Sequence, residues 1–201
     1  RRFHSCLKLK TELKFSKNSN SFNTNRLQKR NYVGLHDLRP YDFCVVGGGI
    51  VGLSVARELK RRQPHAAIAI VEKESQVGQH QSKWNSGVIH QGIYYKPGSQ
   101  RAEFCRKGQA MMYEFLKEHR IPFKKCGKLI VAVKEEEIEN LNALYEKAQM
   151  NGCDVEMLDS KQTIKMEPNL TNAIQSIYSP ETGITDFNLV VQKLEQLLKK
   201  E

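Results

Sequence analysis

Between residues 41 and 72, the spacing of the hydrophobic positions changes from that of a strand to that of a helix and back. Three consecutive segments carry this pattern: Tyr41 to Val46, Ile50 to Arg62 and Ala66 to Val71. The first and third are short, apolar and β-favouring, which indicates buried strands, whereas the middle one repeats its apolar residues every four positions and ends in basic residues. Pro64 ends the predicted helix. The pattern therefore predicts a βαβ unit of about thirty residues.

After a polar, glycine-punctuated loop, hydrophobic spacing predicts four more helices and three strands. The strands are expected at Leu129 to Val133, Val155 to Leu158 and Ala173 to Tyr178. A helix before Pro122 is predicted to face the core through a stripe of Phe104, Gly108, Met111 and Phe115. A second carries Ile138, Leu141, Tyr145 and Ala148 and ends at Gly152. Ser160 and Asp186 are expected to cap the last two helices. The final helix is expected to leave Val190, Leu194 and Leu197 uncovered.

A glycine-rich turn joins the first predicted strand to the first helix. It has the spacing Gly47-x-Gly49-x-x-Gly52, and Glu72 follows at the end of the next strand. Gly47 permits the tight turn, Gly49 lets the backbone approach a pyrophosphate, and Gly52 lets the helix pack closely on the strand. The helix N-terminus favours phosphate, and Glu72 can accept hydrogen bonds from a ribose diol. This combination predicts dinucleotide binding, with FAD and NAD both open at this point.

A dense block of polar, small and aromatic residues runs from Asn85 to Pro97. It resembles the flavin-contacting segment of the FAD-dependent amine and hydroxy-acid oxidoreductases, the D-amino-acid-oxidase-like superfamily. Within it, the chain is similar to the L-2-hydroxyglutarate dehydrogenase family. The segments that carry this likeness are the block itself, Val45 to Leu53, Cys126 to Val133, Leu144 to Lys147 and Pro180 to Ile184. The resemblance implies an α/β fold that is incomplete at the carboxy terminus: a Rossmann-like FAD-binding βαβ domain over residues 37 to 126 and part of an α+β substrate domain over 127 to 201.

The resemblance also implies FAD as the cofactor and assigns its contacts. The residues expected along FAD are Gly47, Gly49, Ile50, Val51, Gly52, Glu72, Lys73, His80, Asn85, Ser86 and Val88. His90 would take the hydroxyl proton of a small 2-hydroxy dicarboxylate while hydride moves to the flavin, with a packing role for His90 as the alternative. A second set, Tyr94, Tyr95 and Lys96, would contact the dicarboxylate or anchor the loop. A membrane quinone and oxygen are both open as electron acceptors.

The net charge of +10 raises nucleic acid as a partner, but the charge is concentrated at one end. Residues 1 to 36 hold nine Lys or Arg against one acid, which leaves +2 for the remainder. This basic stretch, rich in Ser and Asn, is typical of an organelle-targeting peptide, with a disordered basic tail as the alternative. We therefore predict a mitochondrial targeting leader over residues 1 to 36. No nucleic-acid partner is expected, because no basic-aromatic platform follows.

The cysteines and the hydropathy concern three further features: metal sites, disulfides and membrane-spanning segments. Five cysteines without a CxxC pair (Cys6, Cys44, Cys105, Cys126 and Cys153) indicate buried free thiols rather than a metal site or a disulfide framework. No run approaches the ~18 apolar residues of a membrane span, so at most peripheral membrane contact is expected.

Two alternatives to a 2-hydroxyglutarate dehydrogenase stay open. Another FAD-dependent oxidoreductase of the same superfamily, such as a glycerol-3-phosphate dehydrogenase or an amine oxidase, would share these motifs. A short, non-catalytic product acting as a binding module is the other alternative. The 201 residues are expected to lack activity by themselves, because a doubly wound sheet needs strands that this pattern does not supply.

Overall fold

A computed structural model of the chain describes residues 40 to 200, so the leader predicted over residues 1 to 36 lies outside the described residues. The helices are α1 (Ile50–Arg62), α2 (Gln100–Glu118), α3 (Ile138–Met150), α4 (Ser160–Met166) and α5 (Phe187–Lys200). The strands are β1 (Phe43–Val46), β2 (Ile68–Val71), β3 (Val88–Ile89), β4 (Phe123–Lys124), β5 (Lys128–Ala132), β6 (Glu156–Asp159), β7 (Gln175–Ser179) and β8 (Gly183–Thr185). This mixture of helices and strands is consistent with the predicted α/β class.

The described chain falls into two compact units. The first comprises residues 40 to 82 together with 191 to 200, and the second comprises residues 83 to 190. The domain boundary predicted between residues 126 and 127 concerns the complete fold of a longer protein, and it stays a prediction.

In the first unit, β1 and β2 pair in parallel, with Phe43 opposite Ile68 and Val46 opposite Val71. The helix between them, α1, has the predicted bounds and buries Leu53 and Ala56. The predicted βαβ unit is therefore confirmed. The predicted burial of β1 is wrong for Val46, which is 85% exposed. The reason is that, within residues 40 to 200, only one face of β1 is covered: Val45 faces Gly52 of α1, whereas Cys44 and Val46 lie on the opposite, exposed face.

The carboxy-terminal part of α5 also belongs to the first unit. The expectation that α5 leaves its apolar residues uncovered is wrong for Val190 and Leu194, which are buried, whereas Leu197 is half-buried. For the part of α5 that belongs to the first unit and carries Leu194, the physical reason is a close approach of the loop after β2. A Cβ at Gly78 would lie 2.7 Å from Val191 Cγ1, so the loop after β2 packs directly against this helix.

The second unit contains two three-stranded antiparallel sheets. Their strand orders are β3-β8-β4 and β5-β7-β6. The core beside the second sheet forms from Ala132, Leu141 and Ile177, where α3 lies against β5 and β7. The strands predicted in this region and α3 are thus present, with their ends shifted by one or two residues.

The predicted apolar stripe of α2 is wrong. Phe104 and Met111 are 64% and 67% exposed, while the helix buries Ala102, Tyr113 and Leu116 instead. The buried face also includes Gln109, whose Nε2 donates a hydrogen bond to the Glu181 carbonyl at 2.9 Å. Tyr113 donates to the same carbonyl at 2.8 Å. Because this face combines small, aromatic and hydrogen-bonded polar residues, hydropathy alone does not identify it.

The two predicted helix caps have different outcomes. Asp186 accepts the Asn188 N–H at 2.8 Å at the start of α5, as predicted. For α4, however, the cap is Asp159 rather than Ser160: its Oδ1 accepts the Gln162 N–H at 2.8 Å, and Gln162 Oε1 accepts the Asp159 N–H at 2.9 Å. This reciprocal pair is a capping box, which the Asp-x-x-Gln spacing satisfies one residue earlier than predicted.

Four of the five cysteines lie in the described region, and all four are free thiols. The predicted burial holds for Cys153 but is wrong for Cys44 and Cys126, which are exposed; Cys105 is half-buried. Across residues 40 to 200, no helix combines the length and apolarity needed to cross a membrane. In the same range, no group of three His, Cys, Asp or Glu is arranged to hold a metal ion.

Candidate cofactor and substrate sites

The glycine-rich turn between β1 and α1 has the geometry of a phosphate-binding loop. Gly47 has a φ of +105°, a backbone conformation that other L-residues rarely adopt. Gly52 lies so close to the Gly47 carbonyl oxygen that a Cβ at this position would overlap it. The two glycines therefore allow a tight turn in which α1 begins directly against the end of β1.

The N-terminus of α1 is suited to an anion. Its N-cap is Gly49, which offers no side-chain cap, and its first turn contains no acidic residue. Ser82 Oγ accepts the Ile50 N–H at 2.9 Å and so fixes the entry of the helix. A helix N-terminus without an acid carries a partial positive charge that attracts phosphate. These observations fit the pyrophosphate of a dinucleotide such as FAD.

Glu72 is buried at the carboxyl end of β2, where its carboxylate holds the turn. Oε2 accepts the Gly48 N–H at 2.7 Å, and Oε1 accepts the Glu74 N–H at 3.0 Å. The hydrogen bond from Glu74 most of all, and then that from Gly48, lower the pKa of Glu72 below its ordinary value against the opposing effect of burial. A carboxylate offers about four acceptor positions, so Glu72 retains capacity for ribose hydroxyls.

The other predicted cofactor residues of the first unit lie near the same turn. His80 Nε2 is 2.8 Å from Glu74 Oε1, and Lys73 Nζ is 3.8 Å from the same oxygen. Val51 is exposed in the first turn of α1. The structure thus brings the glycine turn and Glu72 together, whereas the roles of Lys73, His80 and Val51 toward FAD stay predictions.

Three predicted cofactor residues belong to the second unit. Asn85 Oδ1 accepts the Gly87 N–H at 2.8 Å, which makes an Asx turn before β3. Ser86 is exposed, and Val88 is the first residue of β3, opposite Ile184 of β8. Their contacts with FAD stay predictions as well.

A separate cavity of about 180 Å³ lies within the second unit. It is lined by His90 to Tyr95 and by Lys128 at the start of β5. Three predicted site residues, His90, Tyr94 and Tyr95, therefore share one cavity. Lys96 is not among its lining residues, and the cation in the cavity wall is Lys128, which sequence analysis did not single out.

The buried side chain of Gln91 holds the cavity loop in place. Its amide nitrogen donates to the Asp154 carbonyl at 3.1 Å and to Ser179 Oγ at 2.7 Å, and its oxygen accepts the Asp154 N–H at 2.9 Å. Ser179 Oγ also lies 2.8 Å from Thr182 Oγ1. Because buried amides that satisfy all their partners are costly to move, Gln91 fixes the backbone on which the His90 side chain is presented.

Asn151 and two cysteines also hold the same loop. Asn151 Nδ2 donates to the Gly92 carbonyl at 3.1 Å and to the Tyr95 carbonyl at 2.9 Å. The Cys105 thiol donates to the His90 carbonyl at 3.5 Å, and the Cys153 thiol to the Gln91 carbonyl at 3.4 Å. The loop is therefore a pre-formed part of the fold.

The electrostatics of the cavity favour a neutral imidazole. His90 is exposed as a residue, yet the cavity walls partly desolvate its ring, and this burial lowers its pKa below the ordinary value; the positive charge of Lys128 lowers the pKa further. Both effects disfavour the imidazolium form. At neutral pH, His90 is accordingly able to accept a proton.

The fold and these two sites define the class of the protein. Residues 42 to 201 match the model of the DAO family, described as FAD dependent oxidoreductase. The chain belongs to this family, and its cofactor is FAD.

Two relatives and one solved structure show which members of this family the chain is similar to. The chain is 48% identical over 165 residues to the mitochondrial L-2-hydroxyglutarate dehydrogenase of Caenorhabditis briggsae, in a match that covers 82% of the chain and 38% of the relative. It is 48% identical over 160 residues to that of Dictyostelium discoideum, covering 78% and 36%. Among solved structures, dithionite-reduced L-alpha-glycerophosphate oxidase of Mycoplasma pneumoniae with FAD bound matches with a TM-score of 0.74 and 28% identity, covering 81% of the chain and 43% of that structure. The chain thus spans well under half the length of these relatives.

Proposed function

We propose that the complete protein oxidises L-2-hydroxyglutarate to 2-oxoglutarate, using FAD. The observation that carries this proposal is the cavity of the second unit, which combines a neutral imidazole with a cation. Such a pair suits an anionic hydroxy acid, because one group can accept the hydroxyl proton while the other favours a negatively charged substrate. The identity of the hydroxy acid is supported by the L-2-hydroxyglutarate dehydrogenases to which the chain is similar.

In this proposal, His90 acts as the general base. Its imidazole accepts the proton of the C2 hydroxyl as the C2 hydrogen leaves with two electrons, so the alcohol becomes a ketone. FAD, when bound, supplies the acceptor for that hydride. Gln91, Asn151 and Cys105 hold the loop so that the position of the base does not depend on substrate binding.

The glycine turn of the first unit would hold the pyrophosphate, and Glu72 would hold the adenosine ribose. This assignment is supported by the positive φ of Gly47, the close approach of Gly52 and the acid-free N-terminus of α1. Phosphate oxygens at this position would accept hydrogen bonds from backbone N–H groups of the first helical turn, which have no acceptor within the helix.

A second candidate reaction is the oxidation of L-glycerol 3-phosphate. It is favoured by the similarity of the fold to L-alpha-glycerophosphate oxidase. A phosphate is also an anion that a cation in the cavity would attract, so the two reactions differ in the group recognised rather than in the role of His90.

Steady-state turnover of the complete protein separates the two reactions. We expect L-2-hydroxyglutarate to reduce an artificial dye in the presence of the enzyme and to yield 2-oxoglutarate, with kcat/KM at least ten times that for L-glycerol 3-phosphate or an amine. A kcat/KM that is higher for L-glycerol 3-phosphate than for L-2-hydroxyglutarate would favour the second candidate reaction. Repeating the assay with a soluble quinone and with oxygen distinguishes the two electron acceptors.

We further propose a mitochondrial location, supported by the basic composition of residues 1 to 36 and by relatives that are named mitochondrial. Fusing residues 1 to 36 to a fluorescent reporter tests this location. Import of the reporter is expected, and retention in the cytosol would contradict it.

A further inference from the structure

Lys128 is a half-buried cation in the wall of the cavity that contains His90. Its ammonium nitrogen donates to the Tyr94 hydroxyl at 3.3 Å and lies 4.6 Å from the centre of the Tyr94 ring. Both contacts orient the side chain, but neither neutralises its charge.

In the part of the chain that the structure describes, Lys128 has no carboxylate partner, whereas Lys107 and Lys125 each lie 2.6 Å from a glutamate oxygen. It differs from the exposed lysines of that part that also lack such a partner, for example Lys165, because it lines the cavity that contains His90. Among residues 40 to 200, no acidic side chain forms an ion pair with Lys128. A partly desolvated ammonium gains most from a hydrogen-bonded anion, so a ligand carboxylate would complete this site.

The backbone places Lys128 rigidly. Gly127 has a φ of +72°, and a Cβ there would meet the ring of Tyr178, so the entry into β5 requires glycine. Lys128 then pairs with Ser179 of β7. Ser179 Oγ is also the hydrogen-bond partner of the Gln91 side chain, next to His90. The same buried serine therefore connects the strand that carries the cation to the loop that carries the base.

We propose that Lys128 is a substrate-binding residue that holds a carboxylate of the 2-hydroxy acid in the cavity beside His90, with Tyr94 orienting its ammonium group. This inference rests on the proposed function, because it assigns a role in binding the substrate of that reaction. The group that Lys128 recognises is a carboxylate. The substrates compared in the test distinguish the C1 carboxylate from the distal one.

The test uses Lys128→Met in the complete flavoprotein, since methionine keeps the length of the side chain without its charge. We expect KM for L-2-hydroxyglutarate to rise about 10- to 100-fold, as the loss of a charged hydrogen bond predicts. The dissociation constant of 2-oxoglutarate, followed by its perturbation of the flavin spectrum, should rise by a similar factor. Lys128→Arg should restore part of both values, because it retains the charge.

Two controls isolate the carboxylate contact. Lys165→Met removes an exposed positive charge from α4 and should leave KM unchanged. Removing Lys128 also lets the pKa of His90 rise toward its ordinary value, which lowers the neutral fraction near pH 7. Measuring at about pH 8.5, roughly two units above an ordinary histidine pKa, eliminates this second effect. The rise in KM must persist there.

The substrate panel assigns the contact and separates its failure from failure of the reaction. If the KM of Lys128→Met rises for both L-2-hydroxyglutarate and L-2-hydroxybutyrate, Lys128 binds the C1 carboxylate. If KM rises for the dicarboxylate alone, Lys128 binds the distal carboxylate. The inference is overturned if the wild-type enzyme oxidises L-2-hydroxyglutarate and Lys128→Met has the same KM and the same affinity for 2-oxoglutarate as the wild type. That result would leave the proposed function standing. If the wild-type holoenzyme fails to oxidise L-2-hydroxyglutarate, the proposed function itself is wrong, and so is the substrate assigned to Lys128.

Discussion

His90 and Lys128 have complementary effects in the cavity. The charge of Lys128 disfavours the protonated imidazole of His90, and in the proposed reaction the same charge would attract the anionic substrate and keep the proposed base neutral. A cation next to a general base is therefore not in conflict with catalysis, provided that the base works in its neutral form. The two roles are separable, because one affects binding and the other affects the pH dependence.

Replacing His90 with Asn in the complete protein should lower kcat by about 10² to 10⁴, the range typical of a general base. The flavin absorbance should stay unchanged, because the backbone contacts of the loop do not involve the imidazole. In the wild type, the lowered pKa of His90 should place the acid limb of the kcat/KM profile below the ordinary histidine value of about 6.5. His65→Asn, at an exposed position of the first unit, is the matched control. A kcat near wild type in the His90 variant would assign this residue to packing.

Glu72 gives the first unit a specific pH dependence. Its folded-state pKa lies below the ordinary value of 4.5, so its contribution to stability is present above pH 4.5 and is lost as the pH falls through the folded-state pKa. Glu72→Gln should lower the thermal midpoint at pH 7 and reduce the difference between the midpoints at pH 7 and pH 4. Glu114→Gln, on the exposed face of α2, should leave both midpoints close to wild type. Parallel pH profiles for wild type and Glu72→Gln would contradict this account.

At the scale of elements, the contact between the glycine turn and α1 depends on the absence of a side chain at Gly52. Gly52→Ala should displace α1, because its Cβ would overlap the Gly47 carbonyl oxygen. We expect a protein purified with little flavin and destabilised by about 1 to 3 kcal/mol. The ratio of flavin to protein absorbance and a thermal melt measure both effects.

Gly108 supplies the control for that substitution. It lies on the exposed side of α2, and a Cβ there would have no atom within 4 Å. Gly108→Ala should therefore keep full flavin content and stabilise the protein by about 0.5 to 1 kcal/mol through helix propensity. Equal flavin loss in both variants would show that the glycine turn is not the sensitive element.

The elements that sequence could predict are those specified by local patterns. The bounds of α1, the parallel βαβ unit and the cap at Asp186 depend on residues close in sequence. For the cavity, the resemblance identifies His90, Tyr94 and Tyr95, but the contacts that hold its loop join residues distant in sequence: Gln91 and Ser179 are 88 residues apart. Lys128 lies one residue before the strand predicted from Leu129 to Val133, and no local pattern shows that its side chain joins a cavity with a loop more than thirty residues earlier.

Distant partners also explain why the predicted buried face of α2 is wrong. Sequence hydropathy favoured Phe104 and Met111, but the helix buries the face on which Gln109 and Tyr113 donate to the Glu181 carbonyl. The buried face is defined by partners that are distant in sequence, and a hydropathy pattern contains no information on such partners.

At the scale of the whole molecule, the chain contributes two recognisable parts of an FAD-dependent oxidoreductase. The first unit contains the glycine turn, α1 and Glu72, and the second contains the His90 cavity. The chain covers 36% to 38% of the length of the two L-2-hydroxyglutarate dehydrogenases described above. Function must therefore be measured on the complete protein.

The most direct test of the central claim is anaerobic reduction of the bound flavin in the complete protein. Mixing the oxidised holoenzyme with L-2-hydroxyglutarate should bleach the absorbance near 450 nm and release one 2-oxoglutarate per flavin. D-2-hydroxyglutarate and L-glycerol 3-phosphate should reduce the flavin at least ten times more slowly. A flavin that L-glycerol 3-phosphate reduces faster, or that L-2-hydroxyglutarate does not reduce, would contradict the account.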